Sequence, residues 1–151
     1  MIPGCEIKLL ITDFDGTLVD TFRANYMAYR KAFEEVGLVL CETDYRCCFG
    51  YRFEKFMEVC GVTDEKKAAE IKELKSFYYP DYFKYLQVND VLLRLLLTFK
   101  KGGGKIAVAS TARRKNLDNV LRYIGVVDNF DYILAGEDVE CGKPSPEIYE
   151  K

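Results

Sequence analysis

The chain has 151 residues, with 22 Lys and Arg against 24 Asp and Glu for a formal net charge of −2. That is enough chain for one ordinary domain or a core with a small insertion, and a charge that exerts no global pull toward nucleic acid or anionic lipid. Apolar residues make up 49% and charged residues 30%, which supports a buried core and excludes wholesale disorder. The absence of histidine removes Ser-His-Asp and Cys-His nucleophile systems, His-ligated zinc and His-ligated haem.

Residues 1–8 hold a proline and a glutamate and no apolar run, so they do not read as a signal peptide. Residues 6–14 (EIKLLITDF) read as a strand, apolar on both faces, of the kind that lies inside a sheet covered on both sides. It stops at Asp13-Phe14-Asp15-Gly16. Residues 21–36 then show helical spacing through Phe22, Tyr26, Tyr29 and Phe33 and end at Gly37. Residues 38–87 are dense in aromatics; 53–60 and 64–83 read as helices, the second with a break at Pro80. That aromatic density reads as helix–helix core rather than a ligand cage.

Residues 91–101 read as a helix closed by Gly102-Gly103-Gly104, a C-terminal turn rather than a phosphate cradle because a strand follows it. The apolar stretch 91–99 is interrupted by Arg94 and falls well short of the roughly 20 residues a bilayer span needs. Residues 105–110 (KIAVAS) are a second buried-type strand, 113–124 a helix ending at Gly125, and 132–135 a short third strand. Arg113-Arg114-Lys115, which opens that helix, reads as a solvated face. Strand, helix, strand, helix, strand gives right-handed crossovers and a doubly wound parallel sheet. Ser145-Pro146-Glu147 reads as a helix start, barely one turn before Lys151. The expectation is an α/β core (1–19 and 89–151) truncated at its C-terminus, with an inserted α-helical cap at 20–88. Cys5, Cys41, Cys47, Cys48, Cys60 and Cys141 are scattered without a CxxC and read as reduced, mostly apolar fillers. A soluble, cytoplasmic protein without membrane or nucleic-acid partners is expected.

Ligands of open parallel sheets sit at the carboxyl ends of the strands. That places Asp13, Asp15, Gly16 and Thr17 at one strand end and Ser110-Thr111 at another, with Lys143 in a loop beyond the third. Two carboxylates two residues apart can divide the roles of nucleophile and general acid/base, or hold one Mg²⁺. A hydroxyl and an ammonium beside them would neutralise the equatorial oxygens of a phosphoryl group.

DFDGTLVD (13–20) resembles the first motif of the haloacid dehalogenase-like superfamily, Ser110 at the end of IAVAS its second, and Lys143 in GKPSPEIY its third. The resemblance spans nearly the whole chain, with 21–87 matching the helical cap. It implies Asp13 as nucleophile, forming an aspartyl-phosphate, and Asp15 as the acid for the leaving oxygen and later the base for water. It further implies Mg²⁺ on the Asp13 carboxylate and the Asp15 backbone carbonyl, and Thr17, Ser110 and Lys143 as phosphate ligands. An aspartate at position 15 favours phosphate chemistry over dehalogenation, since halide departure needs no proton. Arg52, where related caps send a specificity loop, is a candidate contact for a second anionic group.

The family's fourth motif, an acidic pair completing the Mg²⁺ shell, has no counterpart here, and Glu137 and Asp138 precede Lys143. The strand expected to accompany that motif would lie beside the first, so its absence would leave residues 7–11 as an exposed edge open to self-association. The leading function is a Mg²⁺-dependent phosphatase of a small phosphorylated metabolite. The rivals are a phosphomutase of the beta-phosphoglucomutase type, which usually carries a histidine where Asn25 stands, and a catalytically silent fragment or interaction protein.

Overall fold

The computed structural model describes residues 6–151; Cys5 lies outside them. The first strand, β1 (Leu9–Thr12), runs through a tight loop into the two-residue β2 (Val19–Asp20). Helices α1 (Phe22–Glu35), α2 (Glu42–Cys48), α3 (Phe53–Val59) and α4 (Glu65–Tyr78) follow, then a 3₁₀ segment (Tyr79–Tyr85) and β3 (Gln87–Val88). The chain continues as α5 (Asp90–Lys101), β4 (Lys105–Ala109), α6 (Arg114–Tyr123), β5 (Tyr132–Leu134) and the single turn α7 (Glu147–Glu150).

The sheet is parallel in the order β1-β4-β5, with Leu9 beside Lys105, Thr12 beside Val108, and Ala109 beside Leu134. With α5 and α6 as the connections the architecture is α/β, as the pattern of elements implies. The apolar run of β1 does not make it the inner strand: Leu9 and Ile11 stay 40% and 37% exposed, whereas Ile106 to Ala109 of β4 are buried. Only one neighbour pairs with β1, so its outer edge is open among the described residues, and Ile7 before it is also exposed. β4 is the central strand, covered from Ile106 onward.

The helical segment leaves and rejoins the sheet at a single place, because β2 and β3 pair antiparallel with Val19 opposite Val88 and Asp20 opposite Gln87. A ladder this short leaves no alternating pattern in the sequence. Helix α2 is likewise missed by periodicity, since only Tyr45 and Cys48 of its seven residues are buried. The expected break at Pro80 is real: α4 ends at Tyr78 and the chain tightens into the 3₁₀ turn, because proline has no N–H to continue an α-helix. Asp64 caps the other end of α4, its carboxylate accepting from the Lys66 and Lys67 N–H groups at 2.9 and 3.3 Å.

Two large apolar clusters and one small one result among the described residues. One of the large clusters lies around the sheet and includes Phe14, Leu18, Ile106, Val108, Leu117 and Leu121. The other lies among α1 to α4 and includes Phe33, Tyr45, Phe56, Met57 and Ile71. The aromatics are the framework of the second, with Phe56 against Tyr29, Tyr45 and Phe33 at centroid distances of 4.9, 5.5 and 6.0 Å. Cys41, Cys47, Cys48, Cys60 and Cys141 are free thiols, and burial pushes Cys60 up to about 11. Among the described residues no helix is long and apolar enough to cross a membrane.

Candidate active site

Residues 13–18 alternate between site and core. Phe14 and Leu18 are buried and anchor the loop, and the Phe14 carbonyl accepts from the N–H groups of Thr17, Leu18 and Val19 at 3.0–3.1 Å. Gly16 takes φ +78° at the centre of this turn, a left-handed conformation that costs a side-chain-bearing residue energy. The anchoring leaves Asp13, Asp15 and Thr17 on the site side. β4 delivers Ser110 at its carboxyl end, fully buried, with its N–H bonded to the Leu134 carbonyl at 2.9 Å.

Lys143 arrives on a loop folded around Glu147, whose carboxylate accepts from the Glu140 and Cys141 N–H groups at 3.0 and 2.8 Å. These N–H groups hold the Glu147 carboxyl below the usual range. Buried Ile148 packs with Ala109 and Val139, so α7, though only one turn, is fastened on both sides. The next bond, Lys143–Pro144, is cis.

These elements bring the acids, the hydroxyls and the ammonium together. The Lys143 ammonium donates to Asp13 Oδ1 at 2.8 Å and to the Ala109 carbonyl at 3.0 Å. Thr17 Oγ1 donates to Asp13 Oδ2 at 3.2 Å. Ser110 Oγ donates to Asp15 Oδ2 at 3.1 Å and accepts from the Ala112 N–H at 3.1 Å. Burial of the Lys143 ammonium acts to lower its pKa, but the hydrogen bond and charge of Asp13, together with Tyr149, outweigh this and leave it above the ordinary lysine value. The Asp13 side chain remains 42% exposed, so an incoming ester can reach it.

Sequence reasoning missed three residues. Thr21, fully buried, donates to Asp15 Oδ1 at 2.6 Å; it stands at the start of α1, but its hydroxyl does not cap that helix. Lys75 of α4 and Asn116 of α6 line a cleft of about 100 Å³ that also includes Asp15, Asn25, Tyr29, Tyr45 and Arg113. Burial drives Lys75 down to about 7, with the charge of Asp15 acting upward and that of Arg113 downward. Its ammonium sits 3.7 Å from the centre of the Tyr79 ring. Their charge and polarity, unusual for buried positions, were the available signal.

Arg52 does not join the acids. Its guanidinium donates to the carbonyls of Glu140, Gly136 and Val139 at 2.9, 2.7 and 3.2 Å, and so ties the start of α3 to the loops beyond β5. These carbonyls occupy three of the guanidinium's five N–H donors, so the contact with a second anionic group expected of Arg52 is left the other two. Arg113 makes the reverse tie, from the core to α4, donating to Ser76 Oγ at 3.1 Å and Glu73 at 3.0 Å. Arg114 pairs with Asp138, and its N–H donates to Glu137 at 2.8 Å. Arg113 and Arg114 are therefore partnered rather than simply solvated, whereas Lys115 is exposed.

The donors available to a metal are all oxygen, from Asp13 and Asp15. Among the described residues no three His, Cys, Asp or Glu side chains cluster to cage an ion by themselves. Such a set suits a hard cation that takes one or two carboxylates and fills its shell with water and substrate oxygens.

Comparison with known proteins shows what the chain and its fold are similar to. The chain is 32% identical over 148 residues to the YhcW protein of Bacillus subtilis, covering 95% of this chain and 66% of that protein. It is 30% identical over 150 residues to the phosphorylated carbohydrates phosphatase of Thermotoga maritima, covering 95% and 68%. The crystal structure of beta-phosphoglucomutase from Clostridium difficile superimposes with a TM-score of 0.77 at 27% identity, over 96% of this chain and 69% of that one. The chain thus spans about two thirds of the length of the relatives it matches. Residues 10–151 match the haloacid dehalogenase-like hydrolases, and the chain belongs to that family.

Proposed function

We propose that the protein hydrolyses the phosphate ester of a small metabolite through a phosphorylated Asp13. The observation that carries this reading is the convergence of Lys143 and Thr17 on the two oxygens of Asp13, with Asp15 held by Ser110 and Thr21 beside them. A carboxylate oxygen of Asp13 attacks phosphorus and the bond to the ester oxygen breaks. Asp15 gives its proton to the departing alkoxide, and the alcohol leaves. Asp15 then takes a proton from water as that water attacks phosphorus, freeing inorganic phosphate and restoring the Asp13 carboxylate.

Lys143, Thr17 and Ser110 offer donors to the phosphoryl oxygens, where charge gathers in the transition state. Thr21 and Ser110 fix the orientation of the Asp15 carboxyl from both sides. Asp13 and Asp15 are the groups that would hold Mg²⁺, which when bound offsets phosphoryl charge and helps align the ester.

The names of the Thermotoga phosphatase and the Clostridium mutase support phosphoryl chemistry on small phosphorylated molecules. Hydrolysis is favoured over the mutase reading by Asn25: it is buried and lines the cleft, and an amide brings no titrating base there. The test is phosphate release from a panel of phosphorylated metabolites with Mg²⁺ by this chain and by Asp13→Asn. Turnover that Asp13→Asn abolishes is expected. Undiminished turnover in that variant refutes the reading.

A further inference from the structure

We propose that the open edge of β1 pairs with the same edge of a second copy of this chain. The pairing is antiparallel about a two-fold axis at Leu9, and it joins two three-stranded sheets into one of six strands.

The backbone decides which residues take part. Leu9 stands beside Lys105 in the parallel ladder, and the Lys105 N–H donates to the Lys8 carbonyl at 2.9 Å. Lys8, Leu10 and Thr12 therefore turn their backbone groups toward β4, and the alternation of a strand turns those of Ile7, Leu9 and Ile11 outward. Among the described residues no strand pairs with that side. Side chains alternate with the same period, so Ile7, Leu9 and Ile11 also share one face, where they are 66%, 40% and 37% exposed. Natural edges are commonly blunted by a charge or a proline, and none of these three positions carries one.

A second copy fits this edge because the stripe reads the same in both directions. Centred on Leu9, the pairing sets Leu9 against Leu9 and Ile7 against Ile11, each pair exchanging N–H···O=C bonds. On the opposite face Lys8 meets Leu10 and Glu6 meets Thr12, so no like charges stand directly opposite. The neighbouring registers are worse: one sets Lys8 against Lys8, the other Asp13 against Ile7. A two-fold contact uses one patch on both copies and closes on itself, so association stops at the dimer. Three side chains and a short edge per copy fall below the roughly 800 Å² per partner of a standard stable interface. The dimer is accordingly weak, with a Kd of roughly 10–100 µM.

Sedimentation velocity from about 5 to 500 µM brackets that Kd and should show monomer and dimer without larger species. Leu9→Lys and Leu9→Glu each place two like charges against each other on the axis, and each should weaken the dimer at least about tenfold (about 1.4 kcal/mol). Mixing the two variants should restore it to within about threefold of the parent, because Lys and Glu then face each other. A second measurement needs no variant: amide exchange at Leu9 and Ile11, whose N–H groups point outward, should slow as the dimer fills. A monomer at every concentration overturns the proposal, and so does growth beyond the dimer. A dimer indifferent to both substitutions overturns it too, as do folded variants that fail to recombine on mixing. Unchanged exchange at Leu9 and Ile11 where the dimer is populated places the contact elsewhere and overturns it as well.

Discussion

Replacing Arg52 by alanine tests how the helical segment is held over the sheet. One guanidinium bridges 84 to 88 residues of sequence through three carbonyls, two of those hydrogen bonds being part-buried and the third exposed. Its aliphatic stem lies so close to Gly142 that a Cβ there would come within 2.7 Å of Arg52 Cδ. Hydrogen bonds to a charged donor contribute roughly 1.5–3 kcal/mol each when protected. Here all three share one side chain, and the freed carbonyls regain water, so the net loss is about 2 kcal/mol. For a chain of this size that lowers Tm by about 4–8 °C. Hydrogen exchange adds a local readout: amides of residues 136–143 should lose protection before those of β4. Arg52→Lys should recover less than half of the loss, because an ammonium cannot reproduce the planar fork. A Tm within about 1 °C of the parent in Arg52→Ala, with unchanged exchange in that loop, would refute the reasoning.

Lys75, with a folded pKa of about 7 against 10.5 when unfolded, predicts a pH dependence. Between those values the unfolded chain holds a proton that the folded chain lacks, so stability rises with pH across that window, by up to about 1.4 kcal/mol per pH unit from this group. Urea midpoints at about pH 7 and 9.5 should show the rise, and Lys75→Met should flatten it; an equal slope in both proteins contradicts the burial argument. Asp15→Asn should lower turnover of alkyl phosphates by about 10²–10⁴-fold. With p-nitrophenyl phosphate, whose leaving group needs no proton, the same variant should release about one equivalent of p-nitrophenol per chain and then stall; continued turnover at the parent rate counts against Asp15 as the base. Phe56→Ala, which removes the ring that touches Tyr29, Tyr45 and Phe33, should cost about 3–5 kcal/mol in chemical denaturation. A loss below about 1 kcal/mol would show that the ring is not part of the core.

The parts of the fold legible in the sequence are those whose burial repeats with a period. Helix α1 declares itself through the partly buried Phe22, Tyr26 and Tyr29 and the buried Phe33, and β4 through an apolar run covered from Ile106 to Ala109. The apolar run alone did not place β1, because it reports what a strand tolerates and not how many neighbours it has; the open edge was expected only from the resemblance. The site was legible where residue type and local punctuation coincide: Asp13, Asp15 and Thr17 around a glycine turn, Ser110 ending a strand, Lys143 before a proline. The partners of Arg52 were not legible, because a surface arginine carries no mark of them; three carbonyls from a distant loop engage it. Thr21, Lys75 and Asn116 went unseen for a related reason. Each sits on a helix or at its start, and only the packing of the helices brings Thr21 to Asp15 and Lys75 and Asn116 to the cleft that Asp15 lines.

The central claim is that Asp13 itself carries the phosphoryl group. Acid quench of the chain during turnover of a ³²P-labelled ester with Mg²⁺ tests it directly. The predicted result is protein-bound label that survives acid, is released by hydroxylamine as an acyl phosphate should be, and maps to the peptide containing Asp13. Label on another residue, or phosphate release by Asp13→Asn at the parent rate, would contradict the account.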